Sequence, residues 1–146
     1  MQLSYNGARR IGEFEGFRDK AYKDSAGIWT IGFGTIKIDD RPVAQGDTIT
    51  REQATIQMQK DLAWAQTAVN KLVRPGLAQH QFDALVSLVY NIGETNFSKS
   101  TLLKHLNQQN FILAAQEFPK WNKAGGKVVQ GLTNRRNAER EWFEGK

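Results

Sequence analysis

The chain has 146 residues, 40% of them hydrophobic and 24% charged, with only 3 prolines; this is one domain's worth of ordinary globular composition, which excludes wholesale disorder and a multidomain machine. Zero cysteines exclude a disulfide framework, a thiolate metal site and a cysteine nucleophile. A net charge of +5 and a pI near 9.6 suit a polyanionic partner, whether nucleic acid, acidic envelope polymer or anionic lipid, without choosing among them.

The first twenty residues hold no apolar run of the roughly 7–15 residues that a signal peptide needs, so the expectation is a protein folded in a cytoplasm and released by another agent. Residues 4 to 15 read as a short helix with Ala8, Ile11 and Phe14 on one face and Gly16 as its C-cap. From Ala21 to about Ile49, glycines alternate with β-branched and aromatic residues, which predicts a small antiparallel β-meander. Gly32 and Gly34 fit a sharply bent hairpin better than a phosphate loop, because no Lys-Ser/Thr and no helix follow them.

Thr50 and Gln53 form a capping-box signature, and Met58, Leu62, Ala65, Val69 and Leu72 then step by 4, 3, 4 and 3, predicting one amphipathic helix of about twenty residues that ends at Arg74-Pro75-Gly76. Phe82, Leu85, Val89 and Ile92 repeat the pattern up to Gly93. Shorter helices are expected around 100 to 108 and 110 to 118, with Pro119 closing the second, a turn at Gly125-Gly126 and a last helix over Leu132 to Phe143. Phe97, Phe111, Phe118 and Trp121 read as core of this helical part. The reading is α+β, a single domain over residues 1–146: a β-lobe over about 17–50 and a helical lobe over about 51–146 that includes the N-terminal helix, joined by the long helix with a cleft expected between them.

Without cysteine, and with His80 and His105 lacking acidic or His neighbours at ligand spacing, chemistry falls to carboxylates and hydroxyls; no metal and no cofactor are expected. Glu15 and Asp24 flank the junction of helix and meander. Glu15 sits at a helix C-terminus among Phe14 and Phe17, a setting that suits a proton donor. Asp24 sits in the polar turn Lys23-Asp24-Ser25-Ala26-Gly27, which suits an ionised base or electrostatic stabiliser, and Thr30 offers a hydroxyl to an attacking water. Glycosidic hydrolysis needs such a pair of unlike carboxyls. Spacing alone equally describes two ordinary surface acids.

The segment Glu15-Gly16-Phe17-Arg18, then Ala21-Tyr22-Lys23-Asp24-Ser25-Ala26-Gly27-Ile28-Trp29-Thr30-Ile31-Gly32-Phe33-Gly34, resembles the catalytic signature of the phage-type lysozymes, glycoside hydrolase family 24. The likeness continues through Gly46 to Thr50, Phe82 to Leu85, Tyr90-Asn91-Ile92-Gly93, Ser100, Trp121 to Gly126 and Gly131 to Arg140, spans nearly the whole chain and lies nearest the lambdoid branch. It implies a lysozyme-like fold and a monomeric, cofactor-free endolysin that hydrolyses the β-1,4 bond between N-acetylmuramic acid and N-acetylglucosamine of peptidoglycan with inversion. Delivery from the host cytoplasm through a holin's lesions is implied with it. Glu15 would be the acid, Asp24 and Thr30 the water-handling pair, and Gly34, Ile36, Tyr90, Asn91, Ser100 and, less closely, Glu117 would match positions that line the saccharide groove. Where many relatives carry His after a Gly-Phe-Gly segment this chain has Thr35, which puts one local contact in doubt.

Residues 118 to 146 carry +4 of the net +5, with Arg135, Arg136 and Arg140 on the last predicted helix. Two readings stand side by side, a basic helix in contact with an anionic envelope and an ordinary helix with intrahelical pairs such as Arg136 with Glu139. Two rival functions also remain: a lytic transglycosylase working through Glu15 alone, and a non-catalytic binding module for wall polymer or nucleic acid. The three-residue motif argues against both binding versions, and no nucleic-acid partner is expected.

Overall fold

Ser4 opens the first helix, its hydroxyl accepting from the Gly7 amide at 2.9 Å, and α1 runs over Tyr5–Glu15 to a Gly16 cap at φ 81°. In this computed structural model, which describes residues 1–146, the chain forms two compact units, Ser4–Ala63 and Met1–Leu3 with Trp64–Lys146.

In the first unit, β1 (Arg18–Lys23) pairs antiparallel with β2 (Trp29–Gly32), and a bulge interrupts the register between the Arg18–Gly32 and Tyr22–Thr30 pairs. The segment before α2 adds a third edge, with Ala21 donating to the Asp47 carbonyl at 3.0 Å and Ile49 to the Asp19 carbonyl at 2.9 Å. Asp47 also braces the turn that leads there. Its Oδ2 accepts from the Ala44 amide at 2.9 Å and from Arg41 at 3.1 Å, and these two contacts, the amide first, hold its carboxyl below the usual range. A small hairpin of β3 (Lys37–Ile38) and β4 (Arg41–Pro42) turns at Asp39 and Asp40, both at positive φ.

The capping box is present at Thr50 and Gln53 and starts α2 (Arg51–Asp61). The expected long helix breaks at Leu62, whose ψ of 16° leaves the helical region, and α3 (Ala63–Leu72) follows. The heptad-like face still holds, since Met58, Leu62, Ala65 and Val69 are all buried. Helix α1 packs on α2 and belongs with the β-hairpins, whereas the sequence reading grouped it with the helical lobe.

Close packing within this unit centres on Gly12 and Phe33. A Cβ on Gly12 would lie 2.8 Å from three Phe33 ring carbons, and that ring is buried and tilted on Phe17 at 5.4 Å. Helix propensity favours alanine by about 1 kcal/mol, but overpacking a fixed ring costs about 1–3 kcal/mol. Gly12→Ala is therefore expected to lower stability by up to about 2 kcal/mol, read as a lower urea midpoint at unchanged slope.

The second unit contains α4 (Gln79–Ile92), buried from Phe82 to Val89, then α5 (Glu94–Ser98), α6 (Thr101–Asn107), α7 (Phe111–Glu117), a 3-10 turn at Phe118–Lys120, the hairpin β5 (Lys123–Ala124) and β6 (Lys127–Val128), and α8 (Gln130–Phe143). Phe97 and Phe118 are core as expected, while Phe111 and Trp121 are half-buried.

Helix α8 packs along α4 around an ionic knot. Glu139, fully buried, accepts from Ser87 Oγ at 2.5 Å, Arg135 Nε at 3.2 Å and Arg136 NH2 at 3.1 Å, and its Oε1 lies 2.7 Å from Arg136 Nε. Burial, with Arg135 alongside, pulls the Arg136 guanidinium below its ordinary range, and Glu139 opposes that shift. The ion-pair reading of Arg136 with Glu139 is thus the one the structure holds. Arg135, Arg136, Trp142 and Phe143 are buried in this packing.

Candidate active site

The first unit contains α1, which ends at Glu15, and the β1–β2 hairpin, whose tip carries Asp24. Asp24 follows β1 and closes the hairpin, donating its amide to the Ile28 carbonyl at 3.0 Å while Gly27, at φ 79°, donates back to the Asp24 carbonyl at 2.9 Å. This three-residue loop needs glycine at its left-handed position, which is why Ser25-Ala26-Gly27 folds so tightly.

The side chains of Asp24 and Thr30 are anchored on one residue. Asp24 Oδ1 accepts from the amides of Ala26 and Ile28, each at 2.9 Å, and Thr30 Oγ1 donates to the Ile28 carbonyl at 3.0 Å. The two peptide groups of Ile28 therefore orient both functional groups. Asp24 Oδ2 takes part in none of these bonds, and Thr30, with its proton engaged, presents only lone pairs. Strand alternation places Tyr22, Asp24 and Thr30 on one face, because Tyr22 pairs with Thr30.

Glu15 is the last residue of α1, separated from β1 only by Gly16 and Phe17. The apolar enclosure expected from its flanking phenylalanines is not what forms. Glu15 is exposed and Phe14 half-buried, while Phe17 turns to Phe33 and carries the Arg51 guanidinium 4.6 Å above its ring. The bulge in β1 lies between Glu15 and Asp24, and bulges of this kind bend a strand and re-aim its side chains.

Of the residues matched to a saccharide groove, Gly34 (φ 103°) and Ile36 are exposed in this same unit, beyond the tight turn that Ile31 and Thr35 close. The other four lie in the second unit. Tyr90 is half-buried with its ring 6.3 Å from that of the exposed Trp64, and Asn91 lines an open pocket of about 380 Å³ with Asn96, Trp121 and Lys123. Glu117 is buried and ion-paired to Lys120. Ser100 is the N-cap of α6, donating to the Phe97 carbonyl at 2.7 Å and accepting from the Leu103 amide at 3.0 Å, so its hydroxyl is engaged by the helix start.

Sequence reasoning did not single out the cations stacked on the hairpin. Arg18 lies 4.3 Å from the centre of the Tyr22 ring and Lys23 lies 5.4 Å from that of Trp29. The four-residue step from Arg18 to Tyr22 on one strand was the available signal. The doubtful contact at Thr35 is made by other means. Buried Thr35 donates to Asp61 Oδ2 at 2.7 Å, and Gln57 holds the other oxygen at 2.9 Å.

Residues 12–139, nearly the whole chain with Glu15, Asp24 and Thr30 inside, match the family model of phage lysozymes. The chain belongs to the phage lysozyme family. It is 48% identical over 144 residues to the endolysin of Salmonella phage P22, covering 98% of each chain. A crystal structure of a P22 lysozyme mutant superposes with a TM-score of 0.91 at 45% identity over 99% of both chains. A SAR-endolysin of Enterobacteria phage P21 is 36% identical over 127 residues, 87% of this chain and 75% of that one. This phage lysozyme is therefore a peptidoglycan-degrading glycoside hydrolase of phage lysis, with the α+β lysozyme fold. No helix in it is long and apolar enough to cross a membrane.

Proposed function

We propose that the enzyme hydrolyses the β-1,4 bond between N-acetylmuramic acid and N-acetylglucosamine by single displacement, with Glu15 as general acid and Asp24 as general base. The observation that carries this reading is the shared anchoring of Asp24 and Thr30 on Ile28. A water can donate one proton to Asp24 Oδ2 and the other to Thr30 Oγ1. Its lone pair then points at the anomeric carbon. Glu15 protonates the departing glucosamine O4, the muramyl C1–O4 bond breaks through an oxocarbenium-like state, and the water oxygen bonds to C1 as Asp24 takes its proton. Attack from the face opposite the leaving group inverts C1, and the two-carboxyl route needs about 6.5–9.5 Å between the acids to admit that water.

Gly34 and Ile36 beside the hairpin and Tyr90 and Asn91 in the second unit are the residues proposed to touch the glycan, with Glu117 held back by its pair to Lys120. The enzyme acts as a monomer on glycan strands. Delivery from the host cytoplasm through a holin's lesions belongs to the same proposal.

Digestion of purified peptidoglycan in ¹⁸O water tests the reaction class. Reducing muropeptides with one ¹⁸O at the muramic acid C1 are expected. Anhydro-muropeptides would make it a lytic transglycosylase, and release of no product would leave a binding module.

A further inference from the structure

The second unit carries a polar pocket of about 420 Å³ where the end of α3 meets α6, and of the residues matched to catalysis or the saccharide groove it contains only the capping Ser100. Its walls are fixed by Asn107. That side-chain amide donates to the Leu72 carbonyl at 3.0 Å, and its oxygen accepts from the Arg74 amide at 2.8 Å, so it joins the two elements and fixes the backbone at Arg74, which lines the pocket. Thr101, Lys104 and Gln108 follow one another at helical spacing along the wall, and Lys99 stands just before α6.

The charge here is one-sided. Arg74, Lys99 and Lys104 all line the pocket, no Asp or Glu does, and none of the three joins an ion pair. Arg41, Arg51, Lys60, Lys71, Lys120 and Arg140 each have a carboxylate within reach, whereas Lys37 and Lys127 join no ion pair either, so what sets Arg74, Lys99 and Lys104 apart is the one concavity that they share. Three like charges around one concavity add up to a positive local potential that favours an anion there.

We propose that this pocket binds a phosphate group carried on a larger polar molecule. A single carboxylate would neutralise one of three cations, whereas a phosphate monoester brings a charge of about −1.5 to −2 and three acceptor oxygens. The Arg74 fork and the two ammonium groups match those oxygens, with the Thr101 hydroxyl and the Gln108 amide as neutral donors. The pocket's volume leaves room for the group that bears the phosphate. A phospholipid headgroup and a soluble or wall-borne phosphate ester share this chemistry. On an enzyme of the envelope, either would hold the protein near its insoluble substrate.

Calorimetric titration at fixed ionic strength with inorganic pyrophosphate, and with phosphatidylglycerol vesicles against phosphatidylcholine vesicles, tests the site. The wild type is expected to bind pyrophosphate saturably at one site. The double variant Arg74→Gln/Lys104→Gln should weaken binding by about tenfold or more, while Lys37→Gln/Lys127→Gln, with the same loss of charge elsewhere, leaves it unchanged. Saturable binding of phosphatidylglycerol vesicles alone, with the same dependence on Arg74 and Lys104, supports a lipid-borne phosphate; binding of pyrophosphate alone supports the soluble or wall-borne form. Amine labelling gives a second readout in the unsubstituted protein, in which pyrophosphate should protect Lys99 and Lys104 and leave Lys37 reactive. No saturable binding of either probe, or equal weakening in both double variants, would overturn the proposal.

Discussion

Glu15→Gln is expected to slow muropeptide release by about 10²–10⁴-fold with an unchanged far-ultraviolet circular dichroism spectrum, because it removes the proposed proton donor and keeps the shape of the side chain. Asp24→Asn should cost as much for a different reason. The amide can still meet the Ala26 and Ile28 amides through its oxygen, at Oδ1, so the hairpin tip stays folded. What it presents to the water is then an NH₂ donor in place of Oδ2, which cannot accept the water's proton. Thr30→Ser, which keeps the acceptor, should retain most of the activity that Thr30→Val loses. If Asp24→Asn kept more than a tenth of wild-type turnover, the second carboxylate would be dispensable and the transglycosylase reading would gain.

The largest effect on stability is expected at Glu139. Glu139→Gln leaves Arg135 and Arg136 charged, buried and facing each other across a neutral amide, and removing one partner of a buried ionic group costs about 3–5 kcal/mol. Ser87→Ala deletes the hydrogen bond to the same carboxylate and the one that Arg135 NH2 donates to Ser87 Oγ at 3.3 Å, and should cost about 1.5–3 kcal/mol. The Ser87 and Arg135 bonds to Glu139 share its Oε2, so the double variant should fall short of the sum of the singles. Urea denaturation of the three variants checks this, and a Glu139→Gln loss below about 1 kcal/mol would show that the knot is not a stabilising feature of the α4–α8 packing.

Much of the fold is legible in the sequence. Local signals are unambiguous where one residue's chemistry decides the backbone, as at Ser4 and Gly16 around α1, Thr50 with Gln53, and Gly125-Gly126 in the β5–β6 hairpin. The break at Leu62 leaves no such trace, since a buried leucine fits a continuous apolar stripe as well as an interrupted one. Helix α5 is five residues long and too short for periodicity to register. Arg135 and Arg136 look like surface charge because composition cannot say that Ser87, 48 residues from Arg135, lies beside it. At the site, the identities of Glu15, Asp24 and Thr30 come from the motif. The reason for the intervening spacing does not: it is the Ile28 peptide, whose role no side chain announces. The capping role of Ser100 is hidden for a related reason, as a capping hydroxyl and a sugar-binding one are the same letter in a sequence.

The proposed single displacement turns on a water delivered by Asp24 and Thr30 to the face of the sugar opposite its leaving group. Proton nuclear magnetic resonance of the newly formed muramic acid reducing ends, recorded within the first turnovers before mutarotation, observes that event directly. The α-anomer should appear first and the β-anomer grow in only as it equilibrates. First appearance of the β-anomer would mean double displacement through a glycosyl-enzyme, and would contradict the role of Asp24 as general base.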